Sequence, residues 1–243
     1  MKMLAFAKRN FKELIRDALS LIFMIFLPLF VFLLMYFITS QMPQISTFQL
    51  DNFTPATVIF SFSFLSLFSS TLVARDRASS FLTRLLSSPL NAKDYILGYM
   101  LPLFALAIIQ IVTIFLAGIV LGLTISWNLL FSILCLTPIS VLFISLGLLI
   151  GSAFTEKQSL LFTNLLVQLT SFTSGMWFNL NMIGGAYKVV SYILPFAHCV
   201  DLVKGILNGS YEGLWINALV IGLYTILFTI LAIILFKRSM KKQ

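Results

Sequence analysis

Asn164, Gln168, Ser171 and Gly175 recur at spacings of four, three and four, which places them within about 60° of one another on a helix. Ser63, Ser66 and Ser70 repeat the pattern at spacings of three and four. Amides and hydroxyls set in apolar sequence have two uses: they hydrogen-bond across closely approaching helices, or they line a path for a polar or amphiphilic molecule. On the residues alone both uses stay open. Harder chemistry is missing, and no catalytic residue is assigned. The chain has no Gly-rich loop ending in Lys-Ser or Lys-Thr to cradle phosphates, no His-Glu-x-x-His pair for zinc and no nucleophile triad. His198 stands beside Cys199, but adjacent side chains diverge on a helix and no carboxylates gather around them, so no metal site is assigned. Cys135 and Cys199 show no paired metal or redox spacing and read as packing residues.

The elements that must position these stripes follow from composition. With 60% hydrophobic and 10% charged residues over 243 positions, the chain is a membrane protein. A hydrocarbon core about 30 Å thick needs roughly 20 apolar residues per helix. Six stretches qualify: 18–40, 53–74, 95–123, 128–154, 158–177 and 213–236. The third and fourth are divided by the break Thr124-Ile-Ser-Trp-Asn128. The first is too long for a secretory signal core and no small-residue cleavage pattern follows it, so it is expected to be retained. Nothing alternates as barrel strands do, and the expected fold is an all-α polytopic bundle. Within these stretches no Asp, Glu, Lys, Arg or His lies deep, which argues against a secondary transporter running a carboxylate relay. A membrane enzyme fares no better without a deep carboxylate pair.

Lys and Arg collect on the cytoplasmic side. With the N-terminus inside, all but Lys188 and Lys204 of the sixteen Lys and Arg residues fall on that face. The termini are therefore expected to be cytoplasmic. The formal net charge of +8 is a topology signal plus attraction to anionic lipid, and nucleic acid is not an expected partner. Residues 1–17 form an amphipathic segment. Leu4, Ala7, Phe11, Leu14, Ile15 and Ala18 share one helical face, and Lys8, Arg9, Lys12, Glu13, Arg16 and Asp17 the other. This predicts an interface helix in the membrane plane, with Phe11, Lys12, Leu14, Ile15 and Arg16 as its contact residues for lipid or for a cytoplasmic partner.

The cytoplasmic loop 75–94 contains a second short helix pattern. Ala78, Phe81, Leu82, Leu85 and Leu86 share one face, while Ser80, Thr83, Arg84 and Ser87 share the other. Ser79 or Ser80 is a candidate cap for its start, and Pro89 ends it. Such a helix lies on lipid or docks into a partner's cleft. The stretch "RDRASSFLTRLLSSPLNAKDYILGYMLP" resembles the loop signature of the permease subunits of type-2 ATP-binding-cassette exporters. It retains Arg77, Leu82, Arg84, Leu85, Pro89, Leu90 and Gly98, with Asp76 in place of the family's first Glu and departures at Ala78, Ser80, Phe81 and Thr83. A second match is "SGMWFNLNMIGGAYKVVSYILPFAHCVDLVKGIL", residues 174–207. Together the two matches extend the resemblance over essentially the whole chain.

The resemblance implies an export permease of a single 1–243 domain, working as a dimer with a second copy or a homologous permease. Two copies of a separate cytoplasmic ATPase would bind ATP and magnesium, with no cofactor on this chain. It also implies a bacterial plasma membrane. The loop helix would be the coupling helix, with Arg77, Phe81, Leu82, Arg84, Leu85, Leu86 and Pro89 as its coupling residues. "TEKQ" at 155–158 would be a third contact or a tight turn. The resemblance favours the path-lining use of Ser63, Ser66, Ser70, Asn164, Gln168, Ser171 and Gly175. The expected cargo is a drug, antibiotic or amphiphilic peptide, with a lipid-linked glycan or other lipid as the alternative. The outer segment 178–212 holds an apolar run from Val189 to Val200, too short to span and interrupted by Pro195, so short re-entrant or interfacial helices are expected there before the last span. Residues 237–243 complete the chain as a cytoplasmic tail.

Overall fold

A backbone set in hydrocarbon must satisfy its own N–H and C=O groups, and the chain does so as helix. The computed structural model describes residues 2–40, 46–79 and 92–240, and among these no strand occurs. The expected coupling helix, with Phe81, Leu82, Arg84, Leu85, Leu86 and Pro89, lies outside the described residues.

Ten α-helices follow in chain order among the described residues: α1 Lys2–Arg16, α2 Ala18–Thr39, α3 Leu50–Ala78, α4 Ala92–Val120, α5 Trp127–Ala153, α6 Glu156–Thr173, α7 Leu180–Ile183, α8 Gly185–Ile193, α9 Pro195–Leu207 and α10 Leu214–Met240. A 3-10 turn at Ser46–Phe48 precedes α3. Local sequence explains the boundaries. Ser126 caps α5 by accepting from the Leu129 amide at 3.2 Å. Thr155 and Gln158 form a capping box at α6, the Thr155 amide donating to Gln158 Oε1 at 3.2 Å, so "TEKQ" is a helix start. Ser79 closes α3, its amide donating to the Arg75 carbonyl at 3.1 Å and its hydroxyl to the Asp76 carbonyl at 2.9 Å; the helix for which it is a candidate cap lies outside the described residues. Gly175 (φ 78°) and Gly184 (φ 63°) supply the left-handed conformation that ends α6's following turn and α7.

Among the described residues five helices are long and apolar enough to cross a bilayer: α2, α3, α4, α5 and α10. There are six if α8 and α9, bent by 88°, are taken as one broken span. The apolar stretch expected at 158–177 is not among the five. It forms α6, 18 residues long and so about 27 Å, its hydropathy lowered by Thr163, Asn164, Gln168 and Thr170.

α3 is the centre of the molecule. Of its apolar window 83% is buried inside the chain, against 17% for α2 and for α10, whose exposed Phe26, Phe30, Leu223 and Ile226 are left for lipid. It packs against α2, α4, α5, α6 and α9. The α5 contact is closest because Gly147 and Gly151, four apart, lie on the backbone of α3: a Cβ at either would collide with the carbonyl of Ser66 or Ser70. α1 packs on α4, where the Phe6 ring fills the space over Gly98 and meets Tyr99 edge-on at 5.0 Å.

Candidate functional site

Consecutive residues on a helix fan out by about 100°, so three adjacent charges at one helix end reach three different neighbours. Arg75, Asp76 and Arg77 do this in the last turn of α3, immediately before the loop to α4. Arg75 reaches the start of α6, with Nε 3.4 Å from Glu156 Oε1. Asp76, 2% exposed, turns inward and accepts from Arg9 of α1 through both guanidinium nitrogens, Nη1 to Oδ2 at 2.6 Å and Nη2 to Oδ1 at 2.9 Å. The Tyr99 hydroxyl of α4 adds a third bond to Oδ2 at 2.8 Å. A buried carboxylate is tolerated only with such compensation, and a bidentate Arg fixes direction as well as distance.

Arg77 turns to α5. Its Nη1 donates to the carbonyls of Gly151 (2.7 Å) and Phe154 (3.0 Å), the end of α5. The last carbonyls of a helix lack intrahelical donors and carry the negative end of its dipole, so a guanidinium is a fitting cap. One turn of α3 is thereby fastened to α1, α4, α5 and α6.

α1 completes the arrangement. Arg9 also pairs with Glu13 at 2.6 Å, and Asn10, fully buried, accepts from Arg9 at 2.8 Å and donates to the Gly98 carbonyl at 3.0 Å. Burial raises the Glu13 carboxyl above its ordinary pKa, against the pull of Arg9. The simple two-faced projection of this helix needs correction. Arg9 and Glu13, drawn with the exposed bases, are half-buried toward α3, and Leu14, drawn with the lipid face, is buried in the chain with Phe6 and Ala7. What remains outside is an apolar band of Leu4, Phe11 and Ile15 beside the basic row Lys8, Lys12 and Arg16.

The polar stripes divide into three places. Ser63, Ser66 and Ser70 are buried within the chain. Ser63 bonds its own helix at Phe60 (2.6 Å), Ser66 donates to the Phe143 carbonyl of α5 (2.6 Å), and Ser70 reaches the Leu67 carbonyl (3.0 Å) and Thr163 of α6 (3.4 Å). Asn164 and Gln168 are exposed on the outward face of α6, Asn164 donating to the Leu160 carbonyl at 2.8 Å. Gln168 edges an apolar groove with Phe154, Phe162, Leu165, Leu169 and Phe172. Ser171 accepts from the Trp177 indole at 2.5 Å, and Gly175 forms the turn after α6. Within this chain the seven residues do not converge.

Sequence reasoning missed Arg9, Asn10 and Tyr99 as parts of the base, and Ser69, which donates to the Ile144 carbonyl at 3.0 Å beside Ser66. It had a signal for Gly147 and Gly151, whose four-residue spacing in apolar sequence is a helix-pairing pattern. His198, the other residue with chemistry to offer, is held by packing contacts: Nδ1 is 2.6 Å from Asn217 Oδ1 and Nε2 3.1 Å from the Tyr192 carbonyl.

The model of the family described as ABC-2 type transporter matches residues 1–208. No curated protein matches the chain.

Proposed function

The chain belongs to the ABC-2 type transporter family, a multi-pass membrane protein family of transport permeases, and on that premise we propose that it is the permease subunit of an ATP-driven exporter. In this reading two copies, or this chain and a homologue, enclose the path, and two separate cytoplasmic ATPases bind ATP and magnesium. Both termini face the cytoplasm of a bacterial cell, in keeping with the distribution of Lys and Arg. α6 serves as the remaining span, α8 and α9 as an outer re-entrant pair, and the outward face of α6 with Asn164 and Gln168 meets the second permease.

The observation that carries the reading is the fastening of α3 at its base. The chain leaves α3 for the proposed coupling helix directly after Arg75-Asp76-Arg77. A displacement of that loop is therefore imposed on α1 and α4 through Asp76 and on α5 through Arg77, as a rigid-body movement. Arg77 acts in this scheme by tying the loop to α5, while Phe81, Leu82, Arg84, Leu85 and Leu86 meet the ATPase and Pro89 fixes the angle of the knob. α1 floats the assembly on the inner leaflet through Leu4, Phe11 and Ile15, with Lys8, Lys12 and Arg16 at the anionic headgroups. The cargo class consistent with the family is a drug, antibiotic or amphiphilic peptide, with a lipid-linked glycan as the second reading.

Co-purification from detergent with the partner ATPase tests the scheme. The chain alone should hydrolyse no ATP. Changing Leu85 and Leu86 to Ala should remove two anchors of about 2 kcal/mol each and weaken ATPase binding by roughly a thousandfold, with membrane insertion intact. Unchanged affinity and transport in that variant would leave the loop as a lipid-surface helix and refute the coupling role.

A further inference from the structure

A cavity of about 180 Å³ lies at the end of α3 opposite the charged base, where Asn52 is 24 residues and so about 36 Å along the helix from Asp76. The 3-10 turn, the start of α3, the α6–α7 link, α8 and α9 all contribute to it. Its walls are polar: Asn52, Asn179, Asn181, Tyr192, Asp201 and Lys204. Asp201 and Lys204 are three apart on α9 and so share a face. They nevertheless form no ion pair with each other, and among the described residues Lys204 has neither an ion pair nor a side-chain hydrogen bond. Asp201 takes one bond, from the Tyr192 hydroxyl to Oδ2 at 2.5 Å.

A part-buried ammonium that makes no hydrogen bond among the described residues and feels Asp201 only through space, and beside it a carboxylate with an oxygen to spare, can each take a further partner from a ligand in the cavity. Inorganic phosphate would satisfy Lys204 and be repelled by Asp201, and a lone cation would meet the reverse. A molecule carrying an anion and an ammonium a few bonds apart satisfies both. The cavity has room for about six waters, enough for a phosphate and a two-carbon amine. Phe178 and Leu180 are its apolar lining, Phe178 exposed, and Met182 (83% exposed) and Ile193, next in sequence to the lining residues Asn181 and Tyr192, are apolar and open to the surroundings. Polar walls beside exposed apolar residues suit a headgroup whose chains lie outside the cavity.

We propose that this cavity binds the headgroup of a zwitterionic amphiphile, its phosphate on Lys204 and its ammonium on Asp201 and the amide oxygens. The inference rests on the membrane reading but not on the ATPase, so it is tested on this chain alone without ATP. The full chain in a neutral maltoside detergent is titrated, with native mass spectrometry as the readout, against dihexanoyl phosphatidylethanolamine, dihexanoyl phosphatidylglycerol, free phosphoethanolamine and inorganic phosphate. One phosphatidylethanolamine should bind saturably, with phosphatidylglycerol about tenfold weaker. Lys204→Met should weaken phosphatidylethanolamine about tenfold, Lys204→Arg should retain it, and Asp201→Asn should bring the two lipids to similar affinity. Thermal melting of each variant in the same detergent separates loss of the site from loss of the fold. Equal binding of free phosphoethanolamine would overturn the amphiphile assignment. Equal binding of inorganic phosphate, or parental selectivity in both Lys204→Met and Asp201→Asn, would overturn the site.

Discussion

The base of α3 and its middle hold the same helix to its neighbours by opposite means. In the middle, Ser66 and Ser69 face Gly147 and Ser70 faces Gly151, and contact comes from backbones lying close together, with the Ser66 and Ser69 hydroxyls bonded to the carbonyls of Phe143 and Ile144. At the base, three charges reach out to four helices. Hydrocarbon gives helices no hydrophobic reason to associate, so the middle depends on dispersion and short hydrogen bonds. Near the headgroups ions are tolerated, and a guanidinium fork on a carboxylate fixes angle as well as distance. The middle therefore sets how near α3 and α5 lie. The base sets how they are oriented.

The comparison breaks most easily at Asp76. Asp76→Ala leaves Tyr99 without its acceptor and breaks both bonds from Arg9 to α3, and should cost about 3 kcal/mol, the lower end for breaking a buried pair because Arg9 keeps Glu13 and Asn10 and its side chain is 34% exposed. Unfolding by a denaturing-detergent titration measures it, and a loss below that of the glycine variant described next would show that the base does not outrank the middle. Gly147→Ala places a methyl on the Ser66 carbonyl, where backbone must move, and should cost about 2 kcal/mol in the same titration. Ser66→Ala removes one bond between the two helices while preserving their approach, and should cost only about 0.6 kcal/mol. Smallest of all, Arg75→Ala should change stability by less than about 0.5 kcal/mol, and any effect should vanish at high salt, because this pair is half exposed. A large salt-independent effect there would make α6 a full member of the base.

Much of this architecture is written in the residue pattern, and the exceptions have physical causes. Charge-free length points to the five helices apolar enough to cross, because lipid heavily penalises an unpaired polar group. Faces are harder. A helical projection distinguishes apolar from polar but not protein from lipid, so Leu14 and Phe11 read alike although one is buried in the chain and the other is exposed. Serines at helical spacing read as one kind of stripe, yet those of α3 are enclosed while Asn164 and Gln168 look outward. The bond from Arg9 to Asp76 crosses 67 positions, and no local rule joins them. The loop resemblance singles out Asp76 and Arg77 but says nothing of the partners they reach.

The enclosure of α3 bears on how the chain is made. Its mean hydropathy is 1.8, where α2, α4, α5 and α10 reach 2.9, 2.7, 2.6 and 2.8, so the helix that ends at the centre is the one least suited to stand in lipid alone. Synthesis at about 5–20 residues per second brings α5 out several seconds after α3. Until then Ser66 and Ser69 have only their own helix to bond, as Ser61 and Ser63 still do in the finished fold. The Gly147–Gly151 face of α5 is thus a late-arriving cover, and the interval before it closes is when nascent α3 is most open to slipping back into water or to capture by insertion and quality-control machinery.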